Sequence, residues 1–163
     1  MMGRALLIIG WLATAGIVAA GVVGYTAERA HPSMTPHILL AFTGSLLILF
    51  SHCWIMFYLI GTGKAIREAV EEYSLNSQLI EDTKTFKNDS YPWLMAAMAV
   101  VIVTFVLGGG AYAAALPSWF HHALFYLLLL IQGKTLTIEG RVLRANEKLM
   151  NDIDSAATTP LEA

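Results

Sequence analysis

Charge is what this sequence lacks over most of its length. No Asp, Glu, Lys or Arg falls within residues 5–27, 36–63 or 90–133 of the 163. Each stretch exceeds the ~20 residues that carry a helix across a bilayer. Charged residues make up only 13% of the chain against 56% apolar ones, with a mean hydropathy of +0.60. A soluble domain of this size must clothe itself in polar groups, so lipid is the expected solvent. Cysteine is scarce as well: Cys53 stands alone, which excludes an internal disulfide. Period-two alternation is missing, so the spans are helices and not barrel strands. No acidic residue lies inside an expected span, which argues against an ion-coupled transporter or proton pump. A metal-ion importer is disfavoured further, because four helices offer little gated pathway unless they oligomerise.

Other signatures fail on their own chemistry. Gly61-Thr62-Gly63-Lys64-Ala65 lacks the first glycine, the following hydroxyl residue and the preceding strand of a phosphate loop. Glu68, Glu71, Glu72, Glu81 and Asp82 form a charge run without the Glu-x-x-His spacing of a di-metal bundle. There is no nucleophile–base pair, so catalysis by this chain alone is not expected; at most it is an electron-transfer subunit. A net charge of −2 gives no basis for nucleic-acid binding.

What is present reads as an all-α, integral membrane four-helix bundle with both termini cytoplasmic and helix two extended into a cytoplasmic helical hairpin. The run at 90–133 is long enough for two crossings, and Gly108-Gly109-Gly110 with Pro117 is expected to break it. Spans are expected at about residues 4–25, 37–62, 92–113 and 118–133, with a hairpin over 64–90 and an amphipathic tail over 134–154. Residues 1–154 form one domain, and 155–163 are expected to be disordered. Pro92 is placed in the first turn of helix three, where its missing donor costs nothing. With the N-terminus inside, nine of the ten basic residues fall on the cytoplasmic side and only Arg29 outside. The expected location is a bacterial inner membrane, with both ends in the cytoplasm.

Helix one carries Gly16, Ala20 and Gly24 at four-residue spacing, a stripe suited to close packing inside the bundle or, alternatively, to a homodimer. Tyr25, Tyr91, Trp93, Tyr112 and Trp119 fall where an interfacial aromatic belt is expected. Met95 and Met98 are expected to pack inward.

The five histidines are the functional clue. On helix two, His37, Ala41, Gly44, Ser45, Ile48, Ser51 and His52 form one small or polar stripe that hydrocarbon would reject. His37 and His52 lie about 22 Å apart along that helix, so they belong to different levels. His121 and His122 on helix four come within about 6 Å of the depth of His37. Adjacent helical residues point about 100° apart, so one of the pair faces inward, and His122 is favoured, leaving His121 for the interface or another subunit.

Two cofactors suit such ligands. Haem b takes imidazoles from facing helices, here His37 with His122 or His121. Copper suits imidazole with thioether, and the loop reads His31-x-x-Met34-x-x-His37. The candidate metal ligands are then His31, Met34, His37 and His52. A structural hydrogen bond to Ser51 or Thr104 is the expected role of His52.

The first functional reading is a small membrane subunit whose histidine-lined site near the outer face binds haem b or copper in a redox or metal-handling complex. The alternative is a cofactor-free accessory or scaffold subunit of a larger membrane complex. In either case the partners are the lipid bilayer and other membrane subunits or further copies of this chain.

Overall fold

A computed structural model describes residues 2–30 and 33–158, without the side chains of 28–30 and 156–158. It shows four helices: α1 (Met2–Ala30), α2 (Thr35–Glu72), α3 (Gln78–Tyr112) and α4 (Ser118–Thr158). All four are long and apolar enough to cross a membrane. At 1.5 Å per residue α2, α3 and α4 each run more than about 50 Å, well beyond the ~30 Å of a hydrocarbon core. Each therefore has an apolar part and a charged extension.

The helices alternate in direction around a square. α1 packs on α2 and α4, α3 packs on α2 and α4, and α2 touches α4 across the shorter diagonal. Apolar side chains cover the outside as well as the inside: Phe57 is 69% exposed and Leu130 74%. Such a surface is the complement of lipid tails. Met95, at 55% exposure, belongs to it and does not pack inward as expected. Met98 is half-buried and its sulfur accepts from the Cys53 thiol at 3.6 Å.

The interior is layered. Ala13, Ile17, Ile48, Val101 and Leu128 form one apolar layer. Leu6, Ile55, Leu59, Leu94, Ile138, Val142 and Leu143 form a second. Ile66, Val70 and Ile153 close the extended end. Gly44 contributes to the first layer by its lack of a side chain, since a Cβ there would lie 2.9 Å from the Ile17 methyl. Van der Waals packing of this kind, with hydrogen bonding, is what holds helices together once lipid removes the hydrophobic drive between them.

Several boundaries differ from expectation. α3 begins at Gln78, so Pro92 stands inside a continuous 35-residue helix and not in its first turn. Buried neighbours on either side, Ser90 and Leu94, hold the helix through the proline. α3 runs through the glycine triplet to Tyr112, and the turn between Tyr112 and Ser118 divides the run 90–133 into two helices. The last turn of α4 reaches Thr158, inside the stretch expected to be disordered, because Ala156 and Ala157 favour helix. Residues 159–163 lie outside the described residues. Tyr25, Tyr112 and Trp119 are exposed at one end. Tyr91 instead turns inward and donates to the Met56 carbonyl at 3.0 Å.

Both remaining turns end their helices in the same way. Ala114 has φ 56° and Ser74 φ 50°. The next amides reach back five residues, Ala115 to Gly110 at 2.9 Å and Leu75 to Val70 at 3.1 Å. This is the Schellman arrangement, here without the glycine that accommodates left-handed backbone most easily. Ser74→Gly and Ala114→Gly are each expected to stabilise the bundle by about 0.5–1 kcal/mol. Denaturant titration in detergent micelles checks this, with Gly61→Ala as a reference away from the turns.

Candidate functional site

The end of the bundle where α1 gives way to α2 holds a cavity of about 1160 Å³ between the four helices. Its walls are aliphatic and aromatic, and its polar groups include Met34, His37, Ser45, Thr104, His121 and His122. Three local devices position the imidazoles. His37, in the first turns of α2, donates from Nδ1 to the Ala20 carbonyl of α1 at 2.7 Å. A carbonyl can only accept, so in the neutral ring Nε2 carries the lone pair. Gly24 makes this approach possible: a Cβ there would lie 2.5 Å from His37 Nδ1. On the far side, His121 fits against Gly108 of α3, where a Cβ would lie 2.7 Å from its Cε1.

His37 and His121 meet across the short diagonal with ring centroids 6.2 Å apart and planes nearly perpendicular. His122 sits edge-on to Tyr25 of α1 at 6.4 Å and 6.2 Å from His121. The imidazole that faces His37 is thus His121, and the neighbour favoured from the sequence turns toward α1. Helix four rotates this way because Leu128, seven residues below His121, is the side chain drawn into the first apolar layer. Two members of the small stripe of α1, Ala20 and Gly24, serve His37, while a Cβ at Gly16 would meet no neighbouring side chain within 4 Å. His31 lies outside the described residues. Met34 lines the cavity. Among the described residues no group of three or more His, Cys, Asp or Glu could hold a metal ion.

His52 belongs to a different site, one level deeper, and its partners are neither Ser51 nor Thr104. Its Nδ1 lies 2.6 Å from Glu139 Oε1, and the two side chains are 0% and 1% exposed. Its Nε2 is 3.0 Å from Gln132 Oε1. Gln132 donates onward to Thr14 Oγ1 at 3.2 Å, and Thr14 to the Gly10 carbonyl at 2.8 Å. Ser51 bonds within its own helix, to Ile48. Thr104 bonds to Leu124. α1, α2 and α4 are thereby tied at one level by a polar chain sandwiched between two apolar layers.

Glu139 lies in the stretch 134–154 expected to be an amphipathic tail, and it is buried. It falls beyond the third uncharged run, yet α4 continues unbroken and turns it inward. A signal for it does exist. Gln132, Glu139 and Asn146 recur every seven residues, all about 1% exposed, on a seam that Ile153 continues. Asn146 meets Thr62 Oγ1 of α2 at 3.1 Å. Polar residues at one heptad position set register between helices and are read as surface only if the period is overlooked.

Removing one member of the buried His52–Glu139 pair leaves the other without its partner. Glu139→Leu is therefore expected to cost about 3–5 kcal/mol, and the double change His52→Leu with Glu139→Leu much less. Unfolding midpoints of the two single variants and the double variant check this; additive losses would show that the two side chains do not act together. At the histidine end, Gly24→Ala and Gly108→Ala are expected to destabilise, whereas Gly16→Ala, with open space around it, is expected to be neutral or slightly stabilising. The same unfolding assay distinguishes them. The chain matches no family model, and no curated protein and no solved structure is significantly similar to it.

Proposed function

We propose that the histidine-lined cavity is a cofactor site, and that the protein is a small membrane subunit carrying haem b between α2 and α4 in a redox complex, with both termini in the cytoplasm. His37 carries the reading. A histidine that ligates a metal commonly gives its other ring N–H to a carbonyl, which fixes the tautomer and raises the basicity of the ligating nitrogen. His37 does this with Ala20, and its partner ring across the diagonal is His121. Two metal–nitrogen bonds of about 2 Å each, with the two ring radii, add up to roughly the separation of the imidazole centres.

Size favours haem over a copper ion. Small-molecule pockets commonly span about 300–1,000 Å³, and a cavity of about 1160 Å³ holds a macrocycle where a lone ion would leave most of it empty. The aliphatic walls suit a porphyrin face, and Tyr112 and Ser118 line the cavity as hydroxyl donors for its carboxylates. Met34 also lines it, and a thioether beside imidazole is the feature that keeps copper as the second reading.

Purified in detergent from cells supplied with haem precursor, the protein is expected to show a Soret band, with the low-spin pattern of two imidazole ligands. His37→Ala and His121→Ala are each expected to abolish that pattern, and His122→Ala to leave it. A colourless protein holding copper would transfer the site to the metal reading. One that holds neither iron nor copper, and co-purifies with larger membrane subunits, would replace both with the cofactor-free scaffold.

A further inference from the structure

A second recess lies between α3 and α4, away from the histidines, with a volume of about 600 Å³. Its place along the bundle is marked by the sequence itself. Trp93 stands near the start of the uncharged run 90–133, and Lys134 is the first charge after it. The hairpin of α3 and α4 brings these two ends together: Thr135 donates to the Trp93 carbonyl at 3.2 Å. The recess therefore lies at the border between the apolar part of the bundle and its charged extension.

Its lining is basic. Lys134, Thr137, Arg141 and Arg144 are spaced by three, four and three residues, so they form one exposed face of α4 toward the recess. Asp89 of α3 faces them. It engages Arg141 at 3.0 Å, and so three cations stand against one carboxylate. The Lys134 ammonium lies 5.7 Å above the Trp93 ring, held at the border where a tryptophan anchors a helix. Arg144 folds back along α4, its Nη1 3.5 Å from where a Gly140 Cβ would stand. Among the described residues neither Lys134 nor Arg144 has a carboxylate partner. Pro92 adds an acceptor: it has no N–H, so the Asn88 carbonyl on the recess wall loses its usual helical donor.

We propose that this recess binds the headgroup of an anionic phospholipid. Lys134 and Arg144 take the phosphodiester, Trp93 packs on the glycerol and upper acyl carbons, and a headgroup hydroxyl donates to the Asn88 carbonyl. The charge excess and the position at the apolar border select a lipid phosphate over a soluble one, because only a lipid brings its phosphate to that height with its tails in hydrocarbon. Basic recesses between membrane helices take anionic headgroups on this principle.

The test uses the full-length protein in nanodiscs containing equal phosphatidylglycerol and phosphatidylcholine, with retained lipid counted by native mass spectrometry after ejection. Wild type is expected to retain phosphatidylglycerol preferentially. At about fivefold per cation near the surface, the double variant Lys134→Gln with Arg144→Gln is expected to lose that preference roughly 25-fold. The control pair Lys64→Gln with Arg67→Gln, exposed on α2, is expected to keep it. Asp89→Asn is expected to strengthen retention by removing the competing carboxylate, an opposite sign that misfolding would not produce. Equal retention of both lipids, an equal loss in the control pair, weaker retention in Asp89→Asn or displacement of the lipid by inorganic phosphate would each overturn the proposal.

Discussion

Hydrocarbon offers no hydrogen bonds, and the arrangement of this bundle follows from that. Every polar side chain within the apolar segments has to find its partner among the other helices or in its own backbone. Several serines and threonines solve the problem locally: Thr14, Thr62, Ser90 and Thr135 donate to the carbonyl one turn back. Imidazoles, the long amide and the carboxylate reach too far for that. Their partners lie on neighbouring helices, and they are what sets helix rotation and register. His37 to Ala20 joins α2 to α1, and the chain from Glu139 through His52 and Gln132 to Thr14 joins α4, α2 and α1.

The two histidine levels use the same chemistry to different ends. At the deeper level the ring is enclosed and both nitrogens are committed, one beside Glu139 and one to Gln132. Apolar layers above and below leave no room for anything else, so His52 acts as a fastener. At the other level the ring of His37 spends one nitrogen on a carbonyl, and its remaining side faces a large cavity shared with His121. The difference comes from small residues. Gly24 and Gly108 let the imidazoles sit back against the helices, and the space they vacate is the cavity.

Much of this is legible in the sequence. Four apolar helices follow from the uncharged runs, and the inward stripe of α2 follows from its spacing; Gly44, Ser45, Ile48, Ser51 and His52 are all buried. The level of the His37 and His121 site followed from helical rise. Three features were obscured for separate reasons. Pro92 carries a strong local breaking tendency, and packing along a 35-residue helix overrides it. The pairing of His37 with His121, not His122, depends on the rotation of α4, which its core leucines set. Glu139 sits among charges in the sequence, and only the seven-residue recurrence with Gln132 and Asn146 distinguishes it from a surface acid.

The amino-acid sequence by itself determined four helices long and apolar enough to cross a membrane and which face of α2 turns inward, because those depend on transfer free energies that each side chain carries wherever it stands. Tertiary structure decided which groups meet. Whether Glu139 pairs with His52, which imidazole faces His37, and how the two ends of the run 90–133 come to frame a basic recess all depend on the relative rotation of helices that are remote in the chain, and that rotation is set by packing among them collectively.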